Sequence, residues 1–236
     1  MSKAVLILQN LSSDGPGYLG EWLHSKRIPF DVRDTGAGQE FPPSIAGYRA
    51  LALLGGEMSA NDDLPSLRRA ERLVLEAMDA DVPVIGHCLG GQLMARALGA
   101  RVLDSPAPEI GWQTMQVADT PAAQAWFGAP RERTVFHWHH ESFELPRGAE
   151  LLASTAACPH QAFALGRHLA MQFHVELDAH KLAAWSAAPG PGHARLQAEF
   201  ASVQGAAAMR AQAAEALAPQ QRFADRLYRR WLGLAP

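Results

Sequence analysis

VPVIGHCLGGQLMARALGARV, residues 82–102, changes its pattern in the middle. Val82 to Gly86 is a short apolar run, which reads as a buried strand. Leu89 to Leu98 carries Leu93, Met94, Ala97 and Leu98 at helical spacing and is closed by Gly99. Cys88 stands at the corner between the two. The chain has only two cysteines, so one of them at a strand-to-helix turn is the first feature to account for.

The same alternation extends towards the N-terminus. Ala4–Leu8, Ile28–Val32 and Arg49–Leu54 read as strands. Tyr18–Lys26 and Leu67–Met78 read as amphipathic helices, the first placing Leu19, Trp22 and Leu23 on one side. Strands alternating with helices predict a parallel sheet covered on both faces, with ligands outside the carboxyl ends of its strands. Gly55-Gly56 and Cys88 both fall at such ends. From about Glu109 the texture changes. Trp112–Val117, Arg133–Trp138, Leu151–Ser154, Ala162–Leu165 and His168–Phe173 read as strands without long helices between them, so the second half of the sheet is expected to be mixed. From Asp178 the chain is Ala-rich and helical, with interruptions expected at 189–192 (PGPG) and at Pro219. Phe223, Leu227, Tyr228 and Trp231 mark the buried side of the last helix. The domain expectation is an α/β unit over 1–180 and a helical extension over 181–236 packed on the same domain.

Composition narrows the function classes. The 236 residues include 21 Lys and Arg against 24 Asp and Glu, a formal net charge of −3. No basic block suggests nucleic acid. Cys88 and Cys158 are too few for a disulfide framework or a four-thiolate zinc site. The apolar run after Lys3 is too short for a signal peptide, and no run reaches transmembrane length. A cytoplasmic protein with no membrane partner is expected.

Gly86 and Gly90 flank Cys88 by two residues on each side, the spacing of a nucleophile elbow with Cys in place of Ser. The positive end of the following helix favours thiolate, and its free N–H groups can stabilise an oxyanion. A base is also needed. QFHVE, residues 172–176, ends an apolar strand in His-x-Glu, and in an extended segment His174 and Glu176 would share a face.

Together these pieces resemble the class I glutamine amidotransferases, in the stand-alone GMP-synthase-like branch. GHCLGGQ resembles the family's G-x-C-x-G-x-Q motif. LLGGEMSANDDLP, residues 53–65, resembles its glycine-rich oxyanion loop. PEIGW (108–112), WHHESFELPRGAELLA (138–153) and QFHVE resemble further segments in family order. The resemblance implies a flavodoxin-like fold and a Cys88–His174–Glu176 triad. It also implies an oxyanion hole from the N–H groups of Gly56 and Leu89, and substrate contacts at Gly55, Gln92, Trp138, His140 and Glu141. It implies no cofactor, glutamine or a γ-glutamyl compound as substrate, and a separate synthetase as a partner, since the chain has no Walker-type loop.

Three positions depart from the family pattern. His139-His140-Glu141 stands for H-G-D, placing a histidine where a glycine is usual. Val175 replaces a proline, and His87 an aliphatic residue. A γ-glutamyl hydrolase uncoupled from ammonia transfer is the competing enzymatic reading, and a non-catalytic binding or regulatory domain is the competing reading of another class. His137, His139 and His140 raise a metal reading, but no acidic residue lies at a telling spacing, so no metal is expected. Gly36-Ala37-Gly38 opens no evident helix and is not read as a phosphate loop.

Overall fold

The computed structural model describes residues 3–129 and 131–235. The first half alternates β1 (Val5–Gln9), α1 (Gly17–Ser25), β2 (Phe30–Asp34), β3 (Ala50–Leu53), α2 (Pro65–Asp79), β4 (Val84–His87) and α3 (Leu89–Ala97). The second half runs β5 (Val102–Val117), α4 (Pro121–Phe127), β6 (Glu132–Phe143), β7 (Glu150–Ser154), β8 (Ala162–Leu165) and β9 (His168–Met171). The helices α5 (Ala179–Ala187), α6 (His193–Glu199) and α7 (Ala206–Trp231) close the chain. Among the described residues, nine strands form one sheet in the order β2-β1-β3-β4-β9-β8-β7-β5-β6. Pairings from β2 to β9 are parallel, and those from β9 to β6 antiparallel. The expected mixed sheet is therefore present, and β9 is where its direction of pairing changes.

Side-chain parity builds the two faces. Val5 and Ile7 of β1, with Ala50 and Ala52 of β3, pack against α1, α4 and α7; Leu6, Leu8, Leu51 and Leu53 pack against α2 and α3. Phe223, Leu227, Tyr228 and Trp231 of α7 are all buried in the first of these cores. A third cluster joins Trp112 of β5 and Phe136 of β6 to Leu182 of α5 and Met209 of α7.

Two expectations need correction, and the second half adds one short helix to what was expected. The segment after β5 contains the seven-residue helix α4, for which the sequence held a signal: Thr120 caps Ala123 N–H and Pro121 occupies the first turn. β5 begins at Val102, well before Glu109, with its register broken between Asp104 and Glu109. Pro106 and Pro108 lie in that break and cannot donate to a ladder. Pro219 does not interrupt α7, which runs through it. A proline inside a helix costs on the order of 3 kcal/mol. The buried side chains of Ala216, Gln220, Phe223 and Ala224 around it supply the packing that offsets this.

The start of α3 is held unusually close to the sheet. A Cβ on Gly90 would lie 2.4 Å from the Leu53 carbonyl oxygen, and one on Gly86 2.6 Å from the Gly90 carbonyl. Both obstacles are backbone, so neither can step aside cheaply. Gly90→Ala is expected to destabilise the protein by about 1–3 kcal/mol through overpacking, read as a lowered denaturation midpoint with an unchanged m-value. A change under about 0.5 kcal/mol, the range of ordinary surface substitutions, would show that the helix start has room to move.

Candidate active site

The corner identified in the sequence is strained. Cys88 caps α3 with φ 48° and ψ −111°, outside the regions that residues with a Cβ ordinarily occupy. Its N–H donates to the Met171 carbonyl at 2.8 Å, fixing the corner to the end of β9. Such strain persists only where the surroundings impose it, and it collects at functional sites. The side chain is 7% exposed and reaches a cavity of about 310 Å³. Gly56, Trp138 and His174 line the same cavity, with Asp14, Trp185 and Pro189.

The backbone after β9 departs from the extended course expected of it. The strand ends at Met171, and residues 174–177 form a turn in which Leu177 N–H bonds the His174 carbonyl. The turn brings the two side chains together: His174 Nδ1 lies 2.7 Å from Glu176 Oε1, with Glu176 fully buried. Nδ1 is the donor, since a carboxylate accepts. Nε2 is left without a hydrogen-bond partner among the described residues. Cys88 directs Sγ at the Trp138 carbonyl, 3.6 Å away, so the thiol and the imidazole share the cavity without a direct hydrogen bond. Such contacts are commonly loose before substrate arrives.

Electrostatics bind the pair tightly. Burial works against an imidazolium at His174, but the charge of Glu176 and the Cys88 side chain outweigh it and lift the pKa to about 10. Burial likewise opposes ionisation of Glu176, yet His174, His87 and Lys181 together hold it well below the usual carboxylate range.

The sequence reading missed several groups around this pair. Lys181 Nζ sits 2.7 Å from Asp14 Oδ1 and 3.7 Å from Glu176 Oε1, almost fully buried. Asp178 caps α5 by accepting the Lys181 N–H and so sets the lysine one turn in, facing inward. His87, which stands where the family has an aliphatic residue, is fully buried and places Nε2 3.9 Å from Glu176 Oε2. The Trp185 ring lies edge-on to His174 at 4.8 Å between centroids. Gln220 of α7 accepts the Phe136 N–H at 2.7 Å and donates to the His174 carbonyl at 3.1 Å. His174 N–H in turn donates to the Phe136 carbonyl. Only Asp178 at its cap position left a usable trace in the sequence; the others depend on chain segments far apart.

The remaining candidates divide. Gly55 lies against the His174 ring, leaving 3.1 Å between a built Cβ and Cε1. Among the described residues, the Gly56 and Leu89 amides donate to no other protein group, as expected of Leu89 at a helix start. Gln92 is buried, with Nε2 on the Glu141 carbonyl at 3.1 Å. Glu141 Oε1 accepts the Ser59 hydroxyl at 2.8 Å. His140 is exposed. Gln92, His140 and Glu141 are not among the residues lining the cavity.

Comparison with known proteins shows the family. The profile of the family described as glutamine amidotransferase class-I matches residues 28–182. The chain is 32% identical over 178 residues to the glutamine amidotransferase-like protein YfeJ of Salmonella typhimurium, covering 70% of this chain and 74% of that one. It is 29% identical over 169 residues to a glutamine-hydrolysing GMP synthase subunit of Thermoplasma acidophilum, covering 67% and 80%. The solved glutamine amidotransferase of Methylobacillus flagellatus superposes with a TM-score of 0.94 at 37% identity, over 100% of this chain and 96% of that one.

Proposed function

Because the chain belongs to the class-I glutamine amidotransferase family, we propose that it hydrolyses the γ-amide of glutamine or of a γ-glutamyl compound through Cys88, His174 and Glu176. The observation that carries this reading is Cys88 at a strained helix start, opening on the cavity that His174 also lines, with His174 paired to a buried carboxylate.

In this mechanism Cys88 reacts as the thiolate, its proton held by His174 as the imidazolium, and the sulfur adds to the γ-carbonyl carbon. The amides of Gly56 and Leu89 receive the oxyanion, and each such donor is worth about 3 kcal/mol of barrier. His174, protonated at neutral pH by its raised pKa, gives its Nε2 proton to the leaving nitrogen. The C–N bond breaks, ammonia or an amine departs, and a γ-glutamyl thioester remains. The neutral His174 then takes a proton from water as its oxygen attacks the thioester. Glutamate and free Cys88 are the products. Glu176 holds Nδ1–H throughout and so keeps Nε2 facing the reacting atoms.

The cavity wall favours a second substrate class within the same chemistry. Trp138, Trp185, Ala184, Ala188 and Pro189 make much of it apolar, which suits a γ-glutamyl amide whose leaving amine carries an apolar group. A separate synthetase that accepts the ammonia is the alternative fate of the leaving group. The similarity to a protein named as part of a GMP synthase supports that alternative.

The experiment is incubation with glutamine and with a series of γ-glutamyl amides, following glutamate, ammonia and free amine. Glutamate release from at least one is expected. No release from any of them, together with an unreactive Cys88 towards a glutamine-like electrophile, would return the protein to the class of binding modules.

A further inference from the structure

The sequence offered no acidic partner for the histidines of β6, but the fold supplies one. Glu109 of β5 is the cross-strand register partner of His139, and Gly111 that of His137. Glu109, His137 and His139 are 1%, 0% and 3% exposed. One ligand atom from each lies within 4.8 Å of the others. None of the three lines the cavity that holds Cys88.

The hydrogen bonds around the cluster fix which atoms face inward. His139 Nδ1 lies 3.2 Å from the Glu141 carbonyl oxygen. That oxygen can only accept, so Nδ1 carries the proton and Nε2 is free to present a lone pair. Nε2 sits 3.1 Å from Glu109 Oε2. Two electron-rich atoms at that separation need a positive charge between them. Glu109 Oε2 also accepts from Gln161 Nε2, an outer contact that aims the carboxylate. His137 has no hydrogen-bond partner at either ring nitrogen among the described residues, and its ring centroid is 5.7 Å from that of His139. A neutral imidazole always keeps one lone pair, so His137 brings a third electron-pair donor to the same place. Gln161 Oε1 is buried and unpartnered as well. A buried polar atom left unsatisfied is costly, so this concentration of them calls for a partner.

We propose that Glu109, His137 and His139 bind one Zn²⁺ as a structural ion, with Gln161 Oε1 or a trapped water as the fourth ligand. Two imidazoles and a carboxylate are a zinc ligand set. Tetrahedral zinc with bonds near 2.0–2.2 Å holds its ligand atoms about 3.3 Å apart, close to the His139–Glu109 separation in the protein. Burial of all three ligands away from solvent makes the role structural, with the ion taken up as β5 and β6 pair. It would clip β5 to β6 beside the Asp104–Glu109 register break, where residues 105–108 have no register partner. This inference is independent of the proposed reaction, because it involves neither Cys88 nor substrate.

The test uses the untagged full-length chain purified from zinc-supplemented medium, with metal content measured by plasma mass spectrometry. One equivalent of zinc per chain is expected, retained through chelator dialysis of the folded protein and released on unfolding. Refolding with Co²⁺ should give visible d–d bands of a nitrogen–oxygen site, without thiolate charge transfer. Glu109→Gln, His137→Gln and His139→Gln should each lose the equivalent and the melting-temperature gain that Zn²⁺ gives the wild type. If a variant does not fold, wild-type stoichiometry and the cobalt spectrum decide. A metal-free wild type whose melting temperature ignores Zn²⁺ during refolding would overturn the proposal in favour of a plain His139–Glu109 ion pair. Zinc lost with Cys88→Ser or Cys158→Ser, yet kept in the three variants, would overturn it too.

Discussion

Cys88→Ala is expected to remove glutamate release from the best substrate by at least about 10⁴-fold, as the loss of a nucleophile does in hydrolases whose residues act as a unit. It should do so without unfolding the protein. Alanine keeps the Cβ, so the strain at φ 48° is unchanged, and only a sulfur 3.6 Å from a carbonyl is lost. Unfolding free energy should stay within about 1 kcal/mol of wild type, near the centre of the range for single substitutions. Steady-state kinetics and denaturant titration on the same preparation check both halves. Residual turnover within tenfold of wild type would mean that another group attacks the substrate.

Glu176→Gln carries the second large effect and a distinctive pH signature. Loss of the residue that fixes the imidazole tautomer costs about 10⁴-fold in kcat where such triads have been dissected. The titration of His174 should also move sharply downward from about 10, because burial would then act with the Glu176 charge gone. Imidazole NMR on the folded protein reads this directly; a value still near 10 would show that Glu176 is not its cause. Stability follows with a definite sign. The His174 contribution is fully present below its ordinary value of 6.5 and fades as pH rises through about 10. The Glu176 contribution is present above its ordinary value of 4.5 and is lost in acid. The stability gap between wild type and variant should therefore be widest between pH 4.5 and 6.5 and should close on the alkaline side.

Much of the architecture was legible in local pattern. The first-half strands and helices announce themselves by apolar periodicity, and the corner at Cys88 by its flanking glycines. The resemblance also picked out His174 and Glu176, which the structure pairs. The route to that pairing differs from the sequence expectation: in place of an extended strand, the side chains meet across a turn. Pairs set by distant segments stayed hidden. Lys181 and Asp14 lie in different halves of the chain, and nothing near Lys181 says that it faces inward except the cap at Asp178. Glu109 was visible only as part of a motif, since a cross-strand neighbour cannot be read from spacing along one strand. Pro219 misled because local propensity was weighed without the tertiary packing that overrides it.

The Gln220 amide joins the last long helix to the two ends of a single residue's surroundings, touching the carbonyl of His174 and the amide that sits opposite it on β6. The imidazole is thus hung from a part of the chain that lies almost fifty positions further on. Loosening of that distal helix, by shortening or by heat, is expected to shift the backbone that carries the ring before the sheet itself gives way. Loss of turnover should therefore precede loss of secondary structure as the protein is warmed.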